Sequence, residues 1–163
     1  MTEKTFALRI DRFIAASREA LFSAWTTPDL LKQWLHPDDT WTTPIAEVDL
    51  RVGGSLRWGV RGPDGGTFYE VGEFLEISPP ERLVYTCRFE HDEVDFEMPD
   101  DECIVRVTFE SVPGGTRLIL VQEGYTKESQ RDDQQNGWPA FLDMLARLVE
   151  KLSSSGGDSH NSS

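Results

Sequence analysis

Side chains able to do chemistry are few in this sequence, and most are badly spaced for it. Cys87 and Cys103 are its only cysteines, and no CxxC pair exists to begin a zinc site. Two free thiols are the expected state, as in a reducing cytoplasm. His36 follows a short predicted helix and sits among Trp34, Pro37 and Trp41. As a general base it would need an orienting carboxylate, for which Asp38 and Asp39 are nearest. The simpler expectation is a surface histidine in a turn. His91 opens an acidic segment and His160 lies in a polar terminus, so neither is expected to be a ligand. The carboxylates between Asp92 and Glu102 lack the spacing of a calcium loop and are expected to be solvated. No GxSxG, HExxH or P-loop pattern occurs, and Gly53-Gly54 suits a hairpin turn rather than a dinucleotide fingerprint. No catalytic residue, metal ligand or cofactor is assigned.

The aromatic residues say more. Most must be core, but ligand pockets are also lined by apolar and aromatic side chains with a few polar groups. Residues expected to line such a cavity are Trp34, Trp41, Trp58, Tyr69, Tyr85, Phe89, Phe109, Trp138, Phe141 and Leu145. Trp58, Tyr85, Phe109 and Phe141 fall on predicted inward faces, and the Tyr85 hydroxyl is placed to orient a polar ligand end. Arg57 and Arg106 alternate with inward residues and should point outward.

The element that must hold these residues together is WPAFLDMLARLVEKL, Trp138 to Leu152. At a helical period Trp138, Phe141, Leu142, Leu145, Leu148, Val149 and Leu152 form one apolar stripe. Pro139 suits a first-turn position, and Asp143 stands one turn before Arg147, a favourable pair on a helix. Ahead of it, Thr126 to Asn136 is polar and fits a loop, a short helix or an early turn of the same helix.

Earlier in the chain, Phe6 to Ile14 alternates as a strand, with Phe6, Leu8, Ile10 and Phe13 partly on one side. Ser17 caps a short helix and Thr27-Pro28 starts a second. From Trp41 the period becomes two through about six strands, punctuated by Gly53-Gly54, Pro63 to Gly66, Pro79-Pro80 and Pro113 to Gly115. Gly72 is a candidate bulge. Short connections predict an antiparallel meander with one face on the terminal helix. Residues 1–152 form one expected domain, and the polar run 153–163 a disordered tail.

Composition narrows the partners. A net charge of −13 in 163 residues repels phosphate backbones and anionic lipid, and no basic run offsets it. No nucleic acid is expected, and no membrane insertion. MTEKTFALRIDRF has no apolar core fit for a signal peptide, so a cytoplasmic protein, monomer or homodimer, is expected.

Five segments in order, SREALFSAWTTPDLLKQWL, DLRVGGSLRW, GEFLEISPPERLVYT, GGTRLILVQEGY and NGWPAFLDMLARLVEKL, resemble the domain related to the C-terminal half of the activator of Hsp90 ATPase. That family lies within the START/Bet v 1-like (SRPBCC) superfamily, and the likeness runs from about Thr5 to Leu152. It implies an α+β helix-grip fold: a curved antiparallel sheet of about seven strands around a long C-terminal helix, with two short helices after the first strand. It also implies an elongated cavity for a hydrophobic small molecule such as a lipid, polyketide or aromatic metabolite. A cyclase, aromatase or hydrolase using Tyr85 or His36 as acid or base is the alternative. A module associated with Hsp90 is a third, less expected because the separate N-terminal domain of the founding activator is not among these residues.

Overall fold

Strict alternation of large apolar residues builds the sheet. Leu83, Tyr85 and Cys87 on one strand, and Cys103, Val105, Val107 and Phe109 on the next, are all buried, while the residues between them are less so. The computed structural model describes residues 5–91 and 102–161, apart from the side chains of residue 91 and residues 154–161. In chain order the elements are β1 (Phe6–Ile14), α1 (Arg18–Thr26), α2 (Pro28–Trp34), β2 (Thr42–Val48), β3 (Ser55–Arg61), β4 (Thr67–Ser78), β5 (Arg82–His91), β6 (Cys103–Val112), β7 (Gly115–Tyr125) and α3 (Glu128–Asn161). The strands make one antiparallel sheet in the order β1-β7-β6-β5-β4-β3-β2. This curved sheet, with two short helices after its first strand and a long terminal helix, is the expected helix-grip arrangement.

Local chemistry sets the short helices. The Ser17 hydroxyl accepts from the Ala20 amide at 3.1 Å, closing the start of α1. Pro28 opens α2 where its missing N–H is not needed. Leu21, Trp25, Leu31 and Trp34 are all essentially inaccessible, and edge-to-face packing of Trp25 on Trp34, 5.0 Å between centroids, locks the pair.

Several expectations need correction. The bulge in β4 is at Leu75, where the pairing of Phe74 with Tyr85 and Glu76 with Val84 leaves one residue over. Gly72 is regular, and its hydrogen lets the Thr86 carbonyl approach: a Cβ there would lie 1.8 Å from that oxygen. Phe13 points outward and is 54% exposed, since Leu8 and Ile14 take the inward positions of β1. Pro139 lies inside α3 rather than in its first turn. The carbonyl it leaves unpaired belongs to Gln135, which like Pro139 is exposed and can turn to water. Asp143 and Arg147 do not pair with each other. Asp143 takes Arg12 of β1, and Arg147 takes Asp39 at 2.6 Å, so both charges tie the helix to other elements.

α3 is also longer than its apolar stripe. It begins at Glu128, and its backbone runs past Leu152 to Asn161, beyond any apolar residue. Gln130, Gln134, Trp138 and Phe141 follow at helical spacing, so the inward stripe continues N-terminally in glutamines. The helix lies against β1, β7, α1 and α2. Arg131 donates to the Ala7 carbonyl at 2.9 Å, and the Ala15 amide to Glu150 at 3.0 Å. Among the described residues, no helix is long and apolar enough to cross a membrane. The acidic segment 92–101 falls outside the described residues.

Candidate functional site

Where α3 stands away from β3 to β5, the trough is not filled. A partly enclosed cavity of about 230 Å³ remains between the N-terminal half of α3 and the inner face of the sheet. Trp138 and Phe141 of α3 form one wall, and Val60, Phe68 and Phe89 the other. Leu35, Pro37 and Trp41, from the segment joining α2 to β2, make the lip. Trp41 meets Phe68 edge-on at 6.4 Å, and Phe68 meets Phe89 at 6.1 Å, so this wall is an aromatic cluster of its own.

Of the ten residues expected at a cavity, the structure brings four to it: Trp41, Phe89, Trp138 and Phe141. Trp34, Trp58, Tyr85, Phe109 and Leu145 lie in the closed core, each no more than 1% exposed. The Tyr85 hydroxyl accepts from the Trp25 indole at 3.2 Å rather than facing the void, and burial holds its proton firmly. Tyr69 is on the other face of the sheet, packed over Gly59 with the Arg57 guanidinium 4.4 Å above its ring. Arg57 is thus outward, as expected. So is Arg106, which pairs with Glu123.

His36 is not a surface residue. It is 7% exposed, and its Nδ1 lies 2.9 Å from the Thr43 hydroxyl. That hydroxyl donates to the Leu35 carbonyl at 2.6 Å, so Nδ1 carries the hydrogen. Burial lowers the His36 pKa, against the pull of Asp39 and Asp38, while Arg147 lowers it further. The ring supports the lip from behind and is not part of the cavity wall.

Two buried polar residues in the cavity were not anticipated. Glu70 of β4 is paired with Trp58 across the β3–β4 ladder and points inward, 8% exposed. Gln122 of β7 is 1% exposed. A directional chain links them: the Trp138 indole donates to Gln122 Oε1 at 2.9 Å, and the Gln122 amide reaches Cys87 Sγ at 3.8 Å. The Cys87 thiol in turn bonds to Glu70. Burial raises the Glu70 pKa, and the Cys87 and Trp58 donors only partly oppose it. The indole Nε1 of Trp58, though near enough to act on this carboxyl, has no partner of good hydrogen-bond geometry. Burial likewise pushes the Cys87 thiol up, so it is an inert proton donor here. The signal for both residues was in the alternation: Phe68, Glu70, Gly72 and Phe74 share one face, as do Leu118, Leu120 and Gln122. A charged or amide side chain in such a series marks a polar group placed inside.

Cys87 and Cys103 face one another across β5 and β6 as fully buried thiols not joined in a disulfide. No group of three or more His, Cys, Asp or Glu able to hold a metal occurs among the described residues.

The likeness to known proteins covers most of this assembly. The model of the family described as activator of Hsp90 ATPase homolog 1-like protein matches residues 15–150. No curated protein sequence matches the chain. A crystal structure of a protein from Chromobacterium violaceum is 31% identical, with a TM-score of 0.77, over 88% of this chain and 96% of that one. An AHSA1-like protein from Aeromonas hydrophila, solved by NMR, is 29% identical with a TM-score of 0.73, over 91% and 94% of the two chains. With the family match spanning β2 to β7, the two short helices, the cavity and most of the terminal helix, the chain belongs to the activator of Hsp90 ATPase homolog 1-like family of the SRPBCC superfamily.

Proposed function

We propose that this protein binds a compact hydrophobic small molecule in the space between α3 and strands β3 to β5. The observation that carries the reading is the 230 Å³ cavity itself, walled by aromatic rings yet holding two buried polar side chains. A void of that kind sacrifices dispersion contacts that a packed core would keep, and a guest restores them. The volume also limits the guest. At about 30 Å³ per small heavy-atom group, on the order of ten non-hydrogen atoms fit. This favours a one- or two-ring aromatic metabolite over a sterol or a whole phospholipid.

Binding fits the site better than catalysis by the residues first considered for it. Tyr85 and His36 both lie off the cavity wall, one bonded to Trp25 and the other to Thr43. A general acid or base must come within hydrogen-bond reach of the proton it moves, and neither side chain reaches the cavity. Titrating the full chain with indole, naphthalene and 2-phenylethanol, while following Trp41 and Trp138 fluorescence and NMR shifts, tests the proposal. Saturable shifts confined to residues around the cavity are expected. No saturation by any of the three sinks it.

A further inference from the structure

Resting on that reading, the polar end of the ligand follows from what Glu70 lacks. It is the only ionisable residue lining the cavity among the described residues, and no lysine or arginine contributes to its environment. The donor chain from Trp138 through Gln122 and Cys87 runs in one direction and terminates at its carboxyl. A thiol is a weak donor and the nearby Trp58 indole is poorly aligned, so much of the acceptor capacity of an ionised carboxylate stays unmet. A buried carboxylate in that state is costly unless a cation joins it. The walls suit the same cation, since Trp41, Phe68 and Trp138 line them and aromatic rings attract positive charge. The net charge of −13 raises the local concentration of cations further.

We propose that the cavity takes a compact hydrophobic amine as its ammonium, the N–H groups paired with the Glu70 carboxylate and the hydrocarbon body against the aromatic walls. Binding then selects the ionised form of Glu70, and any proton it holds in the free protein is released.

Isothermal titration of the full chain with 2-phenylethylamine, 2-phenylethanol and 3-phenylpropionate tests this. At about pH 7.5 the amine should bind at least tenfold more tightly than the alcohol, and the acid more weakly than either. Lowering the pH to about 5 should weaken the amine and leave the alcohol unchanged, because burial raises the Glu70 pKa. At the lower pH, titrations in buffers of different ionisation heat should register net proton release with the amine alone, a readout that needs no variant. Glu70→Gln, which keeps the shape, should abolish the preference for the amine over the alcohol. Equal binding of amine and alcohol, or an amine preference that survives Glu70→Gln, overturns the inference and leaves hydrophobic binding standing. Failure of all three compounds overturns both.

Discussion

The two ends of α3 meet the same sheet with opposite results. Toward its C-terminal side, Leu142, Leu145 and Val149 are no more than 1% exposed and belong to the main core cluster, with Leu21, Trp25 and Phe109. Toward its N-terminal side, Trp138 and Phe141 are only half-buried, and the far wall of Val60 and Phe68 forms a separate cluster with Trp41 and Phe89. The difference lies in what faces inward. Leucine and valine interdigitate with the sheet at one end, whereas Gln134, Gly137, Glu70 and Gln122 leave space at the other. One half of the trough is therefore closed by packing, and the other keeps a cavity.

Truncation at the sealed end should have the largest effect. Leu145→Ala removes a fully buried side chain and is expected to lose about 2–5 kcal/mol in urea unfolding. Phe141→Ala removes more atoms, but part of its ring already borders empty space, so its loss should be the smaller of the two. Equal or reversed losses would dissolve the distinction between the ends.

Glu70 sharpens the same contrast, because it spends stability on the open end. Its pKa is raised in the folded state by burial. The carboxyl is therefore well tolerated below its ordinary value of about 4.5, and stability drains away as the pH rises through the folded value. Glu70→Gln should unfold at higher temperature than wild type at pH 7, by on the order of 1 kcal/mol, with the advantage vanishing below about pH 4.5. A stability gain that ignores pH would mean that burial of charge is not its source.

Gly137 offers a smaller gain. A Cβ added there meets nothing within 4 Å, and the residue lies inside a helix on the cavity wall. Gly137→Ala should add about 0.5–1 kcal/mol through helix propensity, raising the melting temperature by a few degrees. Gly137→Leu should keep that stability and fill the void, weakening 2-phenylethanol about tenfold or more. If the leucine leaves binding untouched, the cavity is not where the ligand goes.

The sequence made the frame legible because burial on one face writes a period of two or of 3.6. Leu83, Tyr85 and Cys87, or Leu142, Leu145 and Val149, are read directly from spacing. The cavity was legible only in part, because aromatics at inward positions look alike whether they pack or line a void. Trp58 and Trp41 differ in how far α3 stands from the sheet, a distance set by the whole assembly and not by their neighbours in sequence. The early turns of α3 were left open between loop and helix because their inward stripe is written in glutamine. Glu70 was missed because attention to apolar positions passed over the polar residue standing among them. His36 was misplaced because Asp38 and Asp39 beside it read as surface, while its ring turns back to Thr43.

The weakest expected effect tests whether the lip is held apart from the rest. His36 is buried neutral, with Nδ1–H given to Thr43, and its pKa is lowered chiefly by desolvation. A lowered folded value means that its share of stability is present above the ordinary histidine pKa, about 6.5. It is lost as the pH falls from there through the folded value. Protonation would add charge at Nε2 and leave the Thr43 bond in place, so the penalty is one of desolvation alone. Asp39 and Asp38 oppose that penalty and Arg147 adds to it, while Arg147 also ties the lip to α3 through Asp39. Hydrogen exchange of the amides of residues 36–41 should therefore quicken between about pH 6.5 and pH 5, after correction for intrinsic rates, while those of β6 do not. His36→Asn retains a donor for Thr43 and cannot be protonated, so it should remove the acceleration. If β6 loosens in step with the lip, the open end has no stability of its own to lose, and the two ends of the helix unfold as one.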